Sequence, residues 1–367
     1  MSKHAKPVAL RGLTLEGVQG LVRELGLPAW RAGQIFAWVH GKGVTEAGAM
    51  SNLSRELRAH LAGRVDLSPL VVDADLRSAD GTRKLRLRCA DGAAVETVLI
   101  PDGDKLTQCL STQVGCGLAC AFCATATLGY RRDLTAGEIV DQVYRARALL
   151  EPAADRAPRI SNLVFMGMGE PLNNLDHVLT AVEILCTDTG ANFSPRRITI
   201  STAGVVPGIA ELGRRAPQVG LAISLNATSD EVRGRLMPIN KRWPLAALME
   251  ALRRYPLPRR RRITFEYVLL AGINDSFQDA RRLPRLLDGI PAKVNLIAYN
   301  SCGRDEAFKP PTDETVEVFA ERLRAKDLAT FVRQSRGRDI AAACGQLAAG
   351  ADVEPWSPSL DDSGQPG

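Results

Sequence analysis

The chain has 367 residues, with 47 Lys plus Arg against 41 Asp plus Glu for a formal charge of +6, and its 45% hydrophobic and 24% charged content excludes wholesale disorder, collagen and low-complexity architectures. Eight cysteines are too sparse for a disulfide scaffold, and no apolar run approaches the roughly 20 residues that span a bilayer. With no signal-peptide pattern at the N-terminus, the reading is a cytoplasmic protein with reduced thiols and no membrane partner.

Residues 1–66 read as a helical N-terminal unit. Thr14 caps a helix carrying Leu15, Val18, Leu21, Val22 and Leu25, which Gly26 and Pro28 end. A second helix covers 29–40, with Ile35, Phe36 and Val39 inward, and a third begins near Ser51 with Leu53, Leu57 and Leu61. The exposed Arg23, Arg31, Lys42, Arg55 and Arg58 are most simply a solvated helix face. Residues 67–104 change to period two as a β-hairpin connector: Lys84–Arg88 alternates, Asp91-Gly92 makes the turn and Val95–Ile100 returns. Glu96 lies on that return strand, and taken alone it reads as a strand-edge surface charge.

In 105–348, β-rich runs at Leu106–Thr112, Leu163–Met168, Arg197–Thr202, Val219–Leu225, Ile263–Leu270 and Val294–Tyr299 alternate with helical patterns. One helix opens with a capping box from Thr135 to Glu138. The alternation predicts an α/β core, an open (βα)6 partial TIM barrel with its chemistry at the C-terminal ends of the strands. Residues 349–367, rich in Gly, Pro, Ser and Asp, read as a disordered tail.

Directly after the first of these strands come Cys116, Cys120 and Cys123, at spacings of four and three. A structural zinc would want a fourth N or S ligand, which nothing nearby supplies at the usual spacing, whereas three thiolates suit an iron–sulfur cluster with one open iron. Other strand ends carry polar groups: Met166-Gly167-Met168-Gly169-Glu170-Pro171, Ser201-Thr202-Ala203-Gly204, Ser224-Leu225-Asn226 and Asn300. The glycines of the first set would let backbone approach a ligand, and Glu170 could accept from an ammonium group.

The cysteine run, with Phe122 before its last member, resembles the signature of the radical S-adenosylmethionine superfamily. That resemblance implies a [4Fe–4S] cluster on Cys116, Cys120 and Cys123 and S-adenosylmethionine on its fourth iron. It implies cofactor contacts from Gly169, Glu170, Ser201, Ser224, Leu225, Asn226 and Asn300. Two further cysteines, Cys109 and Cys344, together with Val95-Glu96-Thr97-Val98 and Met237-Pro238-Ile239-Asn240, make the chain similar to the 23S ribosomal RNA adenine-C2 methyltransferase family, whose members also modify an adenine beside the anticodon of some transfer RNAs.

What the resemblance implies is a radical methylation consuming two S-adenosylmethionine molecules per turnover. One methylates Cys344; the other is cleaved to a 5′-deoxyadenosyl radical that takes hydrogen from that methyl group, and the methylene radical adds to adenine. Glu96 would remove the ring proton, and Cys109 would attack Cys344 to free the base through a transient disulfide. An electron donor such as flavodoxin or ferredoxin and a monomeric state complete that expectation. The helical unit and the run Arg253, Arg254 and Arg259–Arg262, with Tyr255 interleaved, become candidate RNA contacts, supplemented by Arg131-Arg132 and Arg196-Arg197. Beside this one stand a radical enzyme acting on protein or small molecules, which would need neither Cys109 nor Cys344, and two further alternatives. The first is an adenine-C8 methyltransferase of the same family, against which Glu170-Pro171 speaks, although Asn226 departs from the His of many C2 members. The second is a zinc-stabilised RNA-binding protein. Cys89, Cys186 and Cys302 are left as bystanders.

Overall fold

The computed structural model describes residues 7–150, 159–302 and 308–347, so the expected tail at 349–367 lies outside the described residues. Helix α1 (Leu15–Glu24) begins where the Thr14 hydroxyl accepts the Gly17 amide at 3.2 Å, and it turns Val18, Leu21 and Val22 inward. Helix α2 (Arg31–Phe36) is shorter than expected because its last turn widens into a π-helical segment, Ala37–Gly41. Helix α3 (Arg55–Ala62) also starts later than expected: Ser54, rather than Ser51, accepts the Leu57 amide, and residues 51–53 form a turn.

The main sheet has ten strands that neighbour one another in sequence order. They are β1 (Val71–Arg77), β2 (Arg83–Arg88), β3 (Ala94–Asp102), β4 (Lys105–Cys109), β5 (Asn162–Phe165), β6 (Ile198–Thr202), β7 (Gly220–Ser224), β8 (Ile263–Leu269), β9 (Ala292–Ala298) and β10 (Thr330–Arg333). Pairs from β1 to β4 are antiparallel and all pairs from β4 to β10 are parallel. Stepping always to the next position is what successive right-handed βα crossovers produce when they wind in one direction. The six expected parallel strands are present. The sequence reading missed β1 and β10, the two edges of the sheet; both expose much of their length, so neither carries a buried apolar run.

The covering helices are α4 (Ala136–Ala148), α5 (Leu175–Cys186), α6 (Val206–Arg215), α7 (Asp230–Leu236), α8 (Leu245–Arg253), α9 (Phe277–Leu286) and α10 (Asp313–Arg324). The Thr135–Glu138 capping box forms as expected. The N-terminal unit docks on α4 through buried polar contacts. Arg11 is ion-paired with Asp141 and also donates to the carbonyls of Leu67 (3.2 Å) and Val44 (2.9 Å). His40 Nδ1 lies 2.8 Å from the Tyr144 hydroxyl, and burial, reinforced by Arg11, pushes the imidazole down to about 3.

On the central strands one face is apolar and covered by helices, as with Phe265 and Tyr267 on β8 and Val294 and Leu296 on β9. The other face alternates differently: Thr264 and Glu266 on β8, and Lys293 and Asn295 on β9, line the hollow inside the curved sheet. A parallel sheet covered on both sides would be apolar on both.

Candidate active site

The site is assembled around the segment that follows β4. Gly167 and Gly169 lie against it so closely that a Cβ on Gly167 would stand 2.7 Å from the Leu110 carbonyl oxygen, and one on Gly169, at φ +96°, 2.5 Å from the Gln113 Cβ. Neighbouring chain therefore demands glycine at both positions, and both also line the smaller of the two cavities described below, where the expected ligand would approach. The same packing fixes Glu170. Its amide donates to Gln113 Oε1 at 2.8 Å, and its carboxylate accepts from the amides of Leu172 (3.1 Å) and Ala203 (2.8 Å). Burial pushes this carboxyl up to about 7 against those hydrogen bonds.

Two cavities adjoin here. The smaller, about 170 Å³, has Cys116, Cys120 and Cys123 in its wall together with Gly169, Glu170, Ser201, Ser224 and Asn226. The hydroxyls of Ser201 and Ser224 have no partner among the described residues and so remain available to a ligand. Asn226 sits at φ +57°, a conformation Asn tolerates, and its Oδ1 accepts the Val268 amide at 2.9 Å. Two expected contacts are not in either wall. Leu225 is fully buried, and Asn300 instead holds the chain near Cys344: its Nδ2 donates to the Cys344 carbonyl at 3.4 Å while its Oδ1 accepts from Arg338 at 3.0 Å.

Beneath this cavity lies Arg233, fully buried, which donates to the carbonyls of Ala203 (2.6 Å), Leu225 (3.1 Å) and Ser224 (3.4 Å) and to Asn240 Oδ1 (3.0 Å). It ties the ends of β6 and β7 together, and gives Asn240 of the Met237–Asn240 segment a structural task. Desolvation lowers its guanidinium to about 10, while Cys120 and Asp230 oppose the shift.

The larger cavity, about 530 Å³, extends through the hollow of the sheet from Cys109 and Cys344 to the strand starts at Asn162, Thr264 and Lys293. Cys123, Met166, Gly167, Glu266, Ile297, Cys344 and Gly345 belong to both cavities and form the partition between them. Cys109 and Cys344 are separated by 235 positions, yet they face the same space. Burial, with the neighbouring Cys344, pushes the Cys109 thiol up to about 12. Cys344 is reachable through the cavity, yet desolvation by its walls, with Glu266 next, pushes its thiol to about 11.

The segment around Cys344 is tied down among the described residues. Gly337 N donates to Asp80 Oδ2 (2.9 Å), the Ser78 hydroxyl to Asp339 (2.6 Å), Ala124 N to the Gly345 carbonyl (2.7 Å) and Gln346 Nε2 to the Ser301 carbonyl (2.6 Å). Glu96 is also not the surface charge its residue type alone suggests. It is buried on β3, an interior strand, with Oε1 3.0 Å from Lys84 Nζ, and the same ammonium donates to the Ala341 carbonyl at 3.1 Å. Glu96 lines neither cavity; it reaches the Cys344 segment through Lys84. The sequence reading passed over Glu266 and Lys84. A polar residue at an inward position of a parallel strand, as in Thr264-Phe265-Glu266, was the signal for the first; nothing local marked the second.

The residues present fit an iron–sulfur cluster with an amphiphilic cofactor. Burial pushes the Cys116 thiol up to about 11 and the Cys120 thiol further still, so ionising them requires positive charge of the kind irons supply. Among the described residues no three His, Cys, Asp or Glu converge tightly enough for one metal ion. The rest of the wall pairs a carboxylate, hydroxyls and an amide with Phe122, Val268 and Tyr299, matching a ligand with a charged and an apolar end. Among the described residues no helix is long and apolar enough to cross a membrane.

Comparison with known proteins gives matches at both levels. Residues 110–283 match the radical SAM superfamily, and residues 8–67 match the ribosomal RNA large subunit methyltransferase N-terminal domain. A dual-specificity RNA methyltransferase RlmN from Anaeromyxobacter sp. (strain Fw109-5) is 49% identical, covering 95% of this chain and 93% of that protein. A second, RlmN 2 of Myxococcus xanthus (strain DK1622), is 49% identical over 94% and 91%. The crystal structure of a radical SAM methyltransferase from Sphaerobacter thermophilus superposes with a TM-score of 0.87 at 44% identity, covering 94% of this chain and all of that one.

Proposed function

This chain belongs to the RlmN family of radical SAM RNA methyltransferases, and from that premise we propose that it methylates carbon 2 of an adenine in 23S ribosomal RNA and of an adenine beside the anticodon in transfer RNA. It is an enzyme and RNA is its substrate. Carbon 2 of adenine is electron-poor and offers no nucleophile, so displacement at a sulfonium methyl group does not serve, and a radical route is required.

Cys116, Cys120 and Cys123 would hold a [4Fe–4S] cluster, and Glu170, Ser201, Ser224 and Asn226 would orient S-adenosylmethionine against it. When bound, this pair supplies a methyl group and, from a second S-adenosylmethionine, one-electron cleavage chemistry. Cys344 is the methyl carrier: its place in the partition gives it access to the small cavity for loading and to the large one for delivery. Cys109 is the resolving thiol. Its thiolate attacks the Cys344 sulfur, forming the S–S bond and breaking the C–S bond to the base; the released carbon takes a proton and becomes the methyl group, and an external dithiol then reduces the disulfide. Glu96 is the base for the ring proton. A shift of the Lys84-linked segment has to bring it to the large cavity, since it stands behind that wall. A cytoplasmic monomer served by a flavodoxin or ferredoxin completes the reading.

The observation that carries it is the meeting of Cys109 and Cys344 in one cavity beside the cysteine loop. Mass spectrometry of reacted 23S RNA tests it: 2-methyladenosine is the expected product, and 8-methyladenosine or no modification rejects the C2 assignment. Cys109→Ala should retain the base on the protein as a covalent adduct, whereas free product at the normal rate overturns the role of Cys109.

A further inference from the structure

Basic residues crowd the large cavity without acidic partners. Lys105, Arg196, Arg197, Lys293, Arg333 and Arg336 line it, against Asp102 and Glu266. Among the described residues none of the six makes an ion pair, although many other basic side chains are paired, including Arg83, Arg86, Arg88 and Arg132. Glu266 acts on Lys293 and Arg333 only at longer range. Arg197 has one weak contact, Nη1 to Asn162 Oδ1 at 3.4 Å. A second observation points the same way: the Ser335 hydroxyl, shielded from water and also in this wall, has no hydrogen-bond partner among the described residues. Six like charges held together against two carboxylates cost free energy unless a polyanion is what they meet.

The placement is specific. Arg196 and Arg197 directly precede β6, Lys293 is the second residue of β9, and Lys105 opens β4, so these four ring the cavity where the strands start. Arg333 ends β10 and Arg336 follows it, in the segment leading to Cys344. The catalytic cysteines are at the other end of the same hollow. None of Arg259–Arg262, the run the sequence made the foremost RNA contact, lines either cavity.

Resting on the RNA-methyltransferase reading above, we propose that the strand-start rim formed by Lys105, Arg196, Arg197 and Lys293 is the phosphate clamp for the RNA strand. Phosphodiesters flanking the target adenine bind at this rim, Arg333 and Arg336 hold the strand's inner turn, and the base extends along the hollow to Cys344. Guanidinium forks suit phosphate oxygens, and every phosphate neutralised releases counterions, so binding must depend steeply on salt.

The test uses full-length protein and a fluorescein-labelled RNA hairpin whose loop carries the target adenine, followed by anisotropy across a salt series. Arg196→Ala with Arg197→Ala removes two exposed side chains with almost no internal contacts, and Arg259–Arg262→Ala removes the alternative run. The rim variant should lose roughly tenfold in affinity per side chain, and its log Kd against log salt slope should fall by about 0.7 per lost phosphate contact, while the run variant stays near wild type. A rim variant with wild-type affinity and slope, or equal losses in both variants, overturns the clamp while leaving the RNA-methyltransferase reading intact. Wild-type protein that neither binds nor methylates the hairpin or 23S RNA overturns both.

Discussion

Gly169→Ala separates two accounts of the Gly-rich turn before Glu170. The added Cβ would lie 2.5 Å from Gln113 Cβ, 2.7 Å from its Cγ and 2.8 Å from its backbone nitrogen, so chain rather than a flexible side-chain tip must move. Forcing an L side chain to φ +96° costs about 1–3 kcal/mol and the overlap about another 1–3 kcal/mol. Together they predict a loss of about 2–6 kcal/mol, a large part of the roughly 5–15 kcal/mol of a typical domain. The shift also pulls Glu170 N from Gln113 Oε1, so the turn loosens where the carboxylate is positioned. Urea unfolding of cofactor-free protein reads the loss as a lower midpoint. Gly20→Ala is the control: it lies inside α1 with nothing within 4 Å of its Cβ position and should gain about 0.5–1 kcal/mol. If Gly169→Ala unfolds within about 0.5 kcal/mol of wild type and loses only S-adenosylmethionine binding, the glycine serves the ligand and the packing account is wrong.

Three other outcomes are expected. Arg233→Leu strands the Ala203, Leu225 and Ser224 carbonyls and Asn240, so it should cost about 3–5 kcal/mol in urea unfolding, and a loss under about 1 kcal/mol would show the carbonyls finding water. His40 titrates near 6.5 when unfolded and near 3 when folded, so the unfolded state binds more protons between those values and stability falls as pH drops through that window. The loss from pH 6.5 to 5 should be about 2 kcal/mol, and His40→Phe should flatten the profile there; an unchanged slope would place the sensitivity elsewhere. Cys116→Ser should abolish the broad visible absorption of anaerobically reconstituted protein without altering far-ultraviolet dichroism, and full retention of the chromophore would remove Cys116 from the ligand set.

Much of the architecture was legible in the sequence because its signals are local. The βα alternation, the Thr14 and Thr135 caps and the cysteine spacing each lie within a window where periodicity or capping chemistry is decisive. The misses share a different cause. Strands β1 and β10 bury little, so no pattern announced them, and α3 was started early because Ser51 and Ser54 are equally good caps on paper. Lys84, Glu96 and Ala341 illustrate the harder limit: an ammonium on one strand joins a carboxylate 12 residues on to a carbonyl 257 residues on, and no local pattern encodes that meeting.

The polar lining of the barrel hollow is where sequence rules and function part most clearly. A parallel sheet optimised for stability would put apolar side chains where Thr264, Glu266, Lys293 and Asn295 stand. Keeping a hollow there forgoes packing, but it leaves a cavity that reaches Cys344 and Cys109. The smaller cavity, with Cys116, Cys120 and Cys123 in its wall, adjoins this hollow where Cys344 lines both. On the proposed reading Cys344, which lines both cavities, would take its methyl group from one side and meet the nucleobase on the other. Filling the hollow therefore gives a split readout: Thr264→Leu should block the RNA reaction, because the base can no longer advance, while the cofactor-side loading of Cys344 continues. Intact-mass analysis of Cys344 methylation alongside product formation checks this, and parallel loss of both would mean that the two cavities are not independent.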